Sequence, residues 1–214
     1  MDRRALLHFA LALLAGPVAA QTSAKVPRVG ILTPADNDQT SVFAAFREGL
    51  RDLGYVDGRS IVLDYKFARG DFSAFPRLAA DLVTSAVDVI VTDGGIAVAL
   101  AAARATKTIP IIVATIGDPV TQGLVASIAR PGGNVTGFTV LGPELAAKRL
   151  DLLRSAFPQA KSVALLFNPA SGNTGILRLT EEASRSLGFA VVLIEADRCN
   201  IATITSRGAQ QARL

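Results

Sequence analysis

The chain has 214 residues, of which half are hydrophobic and 6% aromatic, with a formal net charge of +4. The dispersed charge and the absence of Trp leave no dense basic patch with stacking aromatics, which argues against nucleic-acid binding. The single Cys199 excludes an internal disulfide. Because the single histidine, His8, lies near the N-terminus, the rest of the chain cannot form a Ser-His-Asp, Cys-His or histidine-ligated zinc site.

Residues 1–20 show the order of regions that is typical of a secretory signal peptide. Arg3 and Arg4 are followed by an apolar stretch over 5–15, which is too short to span a bilayer comfortably, and by small residues at 18–20. We therefore predict a signal peptide over 1–20, and a product that is soluble after cleavage and located in the periplasm or another extracytoplasmic compartment. A buried N-terminal helix is the alternative interpretation.

After residue 28 the sequence alternates short apolar strands with amphipathic helices. The spacing predicts strands over 29–33, 61–67 and 87–91, and helices over 43–53, 73–85 and 96–104. Two of the strands run into loops of small residues, first at Thr33-Pro34 and then at Gly94-Gly95. A glycine pair at a strand-to-helix junction leaves backbone N–H groups open to an anion or carboxylate, although a tight turn alone also explains it.

The segment 109–142 is predicted to form the centre of a ligand-binding crevice. Its apolar run over 109–114 does not alternate, which indicates a strand covered on both faces. Gly117 then allows close backbone approach, Asp118 suits a helix cap, and Pro119 suits a first helical position. The pattern predicts a helix over 120–128, a turn over 130–134 and a strand over 135–140. Open α/β sheets bind ligands at such strand ends.

The pattern then restarts, which indicates a second lobe. It predicts helices over 143–157 and 177–187, strands over 162–167 and 189–194, and a polar loop over 168–173. The alternation favours an α/β fold with a mostly parallel sheet. We predict a first lobe over 28–141, a partial second lobe over 142–196, and an off-pattern C-terminal tail over 197–214.

Five sequence blocks give the chain a specific resemblance. They are VGIL at 29–32, FREGLRDLGYVDG at 46–58, GDPV at 117–120, ARPGGNVTG at 129–137 and FNP at 167–169. In this order they resemble the ABC-transporter substrate-binding protein family of the tryptophan/tyrosine-binding type. The resemblance implies a type I periplasmic binding protein architecture, namely a Rossmann-like parallel-sheet lobe followed by a second α/β lobe, with the ligand held between them. It also implies that this chain is truncated at its C-terminus.

The resemblance implies a set of cleft residues. They are Thr33, Pro34, Gly94, Gly95, Gly117, Asp118 and Asn168, with Thr139 at the hinge or the cleft floor. For Asp118 two roles stay open, a helix cap or a carboxylate that binds a ligand ammonium. No metal, cofactor or catalytic residue is implied.

The expected function is the exported solute-binding component of an ABC importer, a monomer that is not an enzyme and does not bind nucleic acid. Its partners would be a small solute, with an amino acid as one candidate, and the ABC permease in the membrane. The alternatives are an α/β enzyme that uses Asp93 or Asp118, or a non-functional truncated fragment. The missing histidine and the lack of a G-x-S-x-G motif argue against the enzyme.

Overall fold

The computed structural model describes residues 25–140, 142, 145–172 and 174–195. The predicted signal peptide over 1–20 and the predicted tail over 197–214 lie outside these residues. The described elements are β1 (Arg28–Thr33), α1 (Ser41–Asp52), β2 (Val62–Phe67), α2 (Phe75–Thr84), β3 (Val89–Thr92), α3 (Ile96–Ala105), β4 (Ile111–Ile116), β5 (Val135–Thr139), α4 (Ala146–Ala156), β6 (Ser162–Phe167), α5 (Thr174–Leu187) and β7 (Ala190–Glu195). Short 3-10 helices, Phe72–Ala74 and Pro169–Ser171, precede α2 and α5.

The strands form two parallel sheets. Five strands are ordered β2-β1-β3-β4-β5, and β6 pairs with β7 in a separate sheet. This arrangement confirms the predicted α/β class with a parallel sheet, and it places β2 at one edge of the larger sheet. We call the five-stranded sheet with α1, α2 and α3 the first unit, and the two-stranded sheet with α4 and α5 the second unit.

The main core lies between the five-stranded sheet and the helices α2 and α3. Its fully buried side chains include Leu32, Phe75, Leu82, Ile90 and Ile111. Full burial of one such side chain contributes about 1.5–3 kcal/mol to folding. A smaller cluster around Ile31 and Phe43 lies under α1 on the opposite face. The second unit has a smaller core around Leu150, Ala183 and Phe189.

Gly30 in β1 allows α2 to approach the sheet closely. A Cβ atom built at this position would lie 2.7 Å from Cδ2 of Leu82, which is itself fully buried. Any larger residue would therefore push α2 away from the strand.

The prediction of a helix over 120–128 is wrong, because the segment forms a series of turns. One turn forms, in which the Gly123 N–H donates to the Val120 carbonyl at 2.9 Å. Gly123 then adopts a left-handed conformation with φ of 70°, which ends the turn. Further along, the Ala126 N–H donates to the Pro131 carbonyl at 3.0 Å instead of to a helical partner.

Among the described helices, none combines the length and the apolar character that crossing a membrane requires.

Candidate functional site

A cavity of about 380 Å³ lies where β3, β4 and β5 end. Its lining residues come from the end of β4, from the loops after the three strands, from the start of α3 and from the first turn of α5: Asp93, Gly94, Gly95, Ile96, Thr115, Ile116, Gly117, Asp118, Gln122, Val140, Gly142, Gly175 and Ile176. Both units therefore contribute to one cavity. Its volume falls within the range of small-molecule sites.

The loop after β3 depends on its two glycines. Gly94 and Gly95 have φ angles of 112° and 86°, which side chains rarely adopt. A Cβ atom on Gly94 would lie 2.5 Å from Cδ of Pro34, so only glycine allows the loops after β1 and β3 to meet. Gly95 caps α3 without a side-chain hydrogen bond. The first backbone N–H groups of α3 are therefore not capped by a side chain, and they lie beside the cavity.

On the β4 side, Asp118 is held by its own chain. Its Oδ1 accepts hydrogen bonds from the backbone N–H groups of Val120 at 3.1 Å and of Thr121 at 3.0 Å. A hydrogen bond from the Thr121 side chain, followed by these backbone bonds, lowers the pKa of the Asp118 carboxyl below its ordinary value. The predicted capping role is present, although Asp118 caps a single turn rather than a helix.

The structure brings four of the eight residues implied by the resemblance to the cavity. Gly94, Gly95, Gly117 and Asp118 line it together. Pro34 lies one layer behind, against Gly94.

The other three implied residues lie outside the lining. Thr33 is fully buried, and its Oγ1 accepts a hydrogen bond from the Ala35 N–H at 3.2 Å. Asn168 uses its Oδ1 to accept the Ala170 N–H at 2.9 Å, which caps the 3-10 helix Pro169–Ser171. Thr139 lines a separate cavity of about 60 Å³ beneath the turns over 119–131.

Sequence reasoning missed several lining residues. The sequence predicts a helix only from residue 177, whereas α5 begins at Thr174 and presents Gly175 and Ile176 in its first turn. Gln122 lies in the segment 120–128, where the sequence predicts a helix that does not form. Thr174, a residue type common at helix starts, is the local signal for an earlier start of α5.

The lining can form hydrogen bonds as well as apolar contacts with a small molecule. Asp93 and Asp118 offer carboxylates, Gln122 an amide and Thr115 a hydroxyl, while Ile96 and three other aliphatic side chains, Ile116, Val140 and Ile176, are apolar. Within the described ranges, no group of three or more His, Cys, Asp or Glu side chains is placed to hold a metal ion.

Known proteins resemble the chain in sequence and in fold. The family model "ABC transporter substrate binding protein" matches residues 28–211, a range that extends into the predicted tail. A tyrosine-binding protein of Clostridioides difficile (strain R20291) is 36% identical over 132 residues, which are 61% of this chain and 37% of that protein.

Two solved structures extend the similarity. A conserved domain protein from Vibrio cholerae has a TM-score of 0.75 at 27% identity, over 87% of this chain and 63% of its own. An ABC domain in complex with L-Trp from Streptococcus pneumoniae has a TM-score of 0.73 at 24% identity, over 86% of this chain and 62% of its own. The chain spans less than two thirds of the length of each of these three relatives.

More distant neighbours show the same architecture, among them a leucine-binding protein from Thermotoga maritima with a TM-score of 0.60. They confirm the predicted fold class, a parallel-sheet α/β protein with the fold of type I periplasmic binding proteins. Since the family model also covers most of the sequence, the chain belongs to the ABC transporter substrate-binding protein family.

Proposed function

We propose that the protein is the exported solute-binding component of an ABC importer and that it binds an amino acid in the 380 Å³ cavity. The observation that supports this most is the composition of the cavity lining, to which the loops after β3 and β4 and the first turn of α5 all contribute. Proteins of this family bind small molecules and work with a membrane permease. They are binding proteins rather than enzymes, so Asp93 and Asp118 are proposed as ligand contacts, not as catalytic groups.

The proposed mechanism is closure of two lobes over the solute. The first lobe comprises residues 28–141 and the second, partial lobe residues 142–196, with a hinge near Thr139 and Gly142. Residues 1–20 would direct export and be removed, which leaves a monomer outside the cytoplasm that delivers its solute to the permease. This division is supported by the two separate sheets, because β1 to β5 form one sheet and the next two strands, β6 and β7, form the other.

An amino acid matches the groups around the cavity. The uncapped N–H groups at the start of α3 suit a carboxylate, and the Asp93 and Asp118 side chains suit an ammonium. The relatives support the same class, since one is described as tyrosine-binding and another was solved with L-Trp. Ile96 and Ile176 offer apolar contacts for the rest of such a ligand.

A thermal-shift screen of the twenty L-amino acids, followed by calorimetric titration of each hit, tests the proposal. We expect at least one amino acid to raise the melting temperature. Asp118→Asn should weaken its binding about tenfold or more, since a hydrogen bond to a charged group contributes about 1.5–3 kcal/mol. Asp151→Asn is the matched control, because Asp151 lies on α4 outside the cavity and pairs with Lys148. A folded sample that binds none of the twenty contradicts the proposal.

A further inference from the structure

Gly172 lies where the second unit contacts the first. It ends the 3-10 helix Pro169–Ser171 in a left-handed conformation with φ of 74°, just before α5. This 3-10 helix contacts α3 and the 3-10 helix Phe72–Ala74, both in the first unit. The backbone of the second unit therefore packs against the first unit at this point.

The contact leaves little room for a side chain. A Cβ atom at Gly172 would lie 3.0 Å from Cγ2 of Ile96, and 3.9 Å from both Cβ and the backbone nitrogen of Ala97. Ile96 is 2% exposed and belongs to the main core, so it cannot move aside easily. A side chain at Gly172 would therefore require the second unit to shift, by a few tenths of an ångström for alanine and by more for valine.

The same contact is part of the candidate site. Ile96 lines the 380 Å³ cavity, and it also lines a neighbouring cavity of about 510 Å³ to which Gly172 contributes. Gly175 and Ile176, which follow Gly172 by a few residues, form the second unit's part of the 380 Å³ cavity. A displacement at Gly172 would therefore move these two residues away from the loops after β3 and β4.

We propose that Gly172 is a positioning residue for solute binding: its lack of a side chain lets the second unit pack against the first turn of α3, which sets the width of the cavity. The inference rests on the proposed function, since it concerns the same site. Gly172 touches no solute itself. A side chain there lowers the fraction of molecules in the binding-competent arrangement, and the apparent affinity falls by the same factor.

Gly172→Ala and Gly172→Val test the proposal, with Gly58→Ala as the matched control. Gly58 has almost the same φ, 76°, but a Cβ atom there meets nothing within 4 Å. Alanine at either position suffers the same backbone strain, and only the Gly172 variants create the steric contact with Ile96. Far-UV circular dichroism of each variant establishes that it is folded.

The first measurement needs no solute. Spin labels on Arg77→Cys in α2 and Arg178→Cys in α5, both largely exposed, report the distance between the units in a Cys199→Ser background. We expect a longer and broader distance distribution for Gly172→Val than for the parent, with Gly172→Ala in between and Gly58→Ala unchanged. Unchanged distributions in both Gly172 variants overturn the proposal.

The second measurement is calorimetric titration with L-tyrosine and with L-tryptophan. We expect the Kd to rise about tenfold in Gly172→Val, which corresponds to about 1.4 kcal/mol, and to stay within about twofold in Gly58→Ala. Ile96→Ala removes the clashing Cγ2 atom, so Gly172→Ala should weaken binding less in that background than in the parent.

The two measurements separate this inference from the proposed function. If the parent binds neither amino acid but the label distance increases in Gly172→Val, the result supports the role of Gly172 in spacing the two units. It contradicts the proposal that the solute is tyrosine or tryptophan. If the parent binds one of them and Gly172→Val binds it equally well, the positioning role is wrong.

Discussion

Asp118 combines a structural role with a position in the candidate site. Its Oδ1 accepts two backbone hydrogen bonds from the turn that follows β4, while its side chain lines the cavity. The sequence, with an acidic residue before Pro119, leaves a helix cap and a ligand contact open, and the two hydrogen bonds show that Asp118 caps a turn. The sequence could not show that the capped segment is one turn long, because Gly123 ends that turn in a conformation that the sequence permits but does not require.

Asp118→Ala should lower the free energy of unfolding by about 1 kcal/mol, the usual effect of losing a capping side chain. Asp118→Asn keeps a side-chain oxygen as acceptor and should lose clearly less. Urea denaturation of both variants at neutral pH measures the difference. An equal loss in the two variants would show that the charge, rather than the acceptor oxygen, stabilises the turn.

The same carboxylate should make stability depend on pH in the acid range. Because hydrogen bonds from Thr121 and then Val120 lower the pKa of the Asp118 carboxyl from 3.8, its ionised form stabilises the fold above that value. This contribution is lost as the pH falls through the lower folded pKa. We expect the stability difference between the parent and Asp118→Asn to be largest above about pH 5 and to shrink as the pH falls through the lowered folded pKa.

Urea denaturation across that pH range measures this difference directly. Asp88, whose pKa is lowered by hydrogen bonds from Lys25 and from the Arg28 N–H, adds a parallel loss that remains in both proteins. Comparing the two proteins at each pH therefore isolates Asp118. A stability difference that does not change with pH would contradict the assignment.

The connection from β4 to β5 shows what two residues of the ARPGGNVTG block, Asn134 and Gly137, do in the fold. The Asn134 side-chain amide donates to the carbonyls of Ile109 at 2.7 Å and of Thr106 at 3.2 Å, which fixes the turn before β5 to the loop between α3 and β4. A Cβ atom on Gly137 would lie 2.1 Å from the Val113 carbonyl oxygen, so β5 can pair closely with β4 only through a glycine.

Gly137→Ala should therefore destabilise the protein by at least about 2 kcal/mol, because the neighbouring backbone of β4 cannot yield. Gly133→Ala is the matched control in the same block, since a Cβ atom there meets nothing within 4 Å. It should change stability by less than about 0.5 kcal/mol. Urea denaturation of both variants checks the pair, and similar effects would contradict the close contact between the strands.

The strands were predictable from sequence, while the connections were less so. Apolar runs such as 162–167 match β6 residue for residue, because a short apolar run bounded by polar residues has few alternative structures. The segment 120–128 places apolar residues at helical spacing, yet Leu124 and Val125 pack against the main core from turns. The share of the cavity formed by Gly175 and Ile176 depends on two units meeting in space, which local patterns do not encode.

The two units of the molecule differ in how many apolar side chains they bury. The five-stranded sheet has α2 and α3 on one face and α1 on the other, and several of its side chains are fully buried. The core of the second unit is a small apolar cluster around Leu150, Ala183 and Phe189, each less than 9% exposed. Sheets of so few strands are marginal without further packing.

Hydrogen exchange should reveal this difference. We expect backbone amides of β1, β3 and β4 to exchange through global unfolding, and those of β6 and β7 to exchange faster through local opening of the second unit. A bound amino acid should slow exchange in the first turns of both α3 and α5. Mass spectrometry of peptides from each strand measures the rates, and equal protection in the two sheets would contradict the expectation.

The strand order of the larger sheet also has a consequence for how the chain folds. β1 pairs with β2, the next strand along the chain, β3 pairs with the other side of β1, β4 pairs with β3, and β5 pairs with β4. Each new strand adds to an edge that is still open when it is synthesised, so no earlier pairing has to break. Because every strand of this sheet lies within residues 28–139, its assembly requires no contact with β6 or β7. The five-stranded sheet can thus grow strand by strand in the direction of translation, through contacts between neighbouring segments of the sequence.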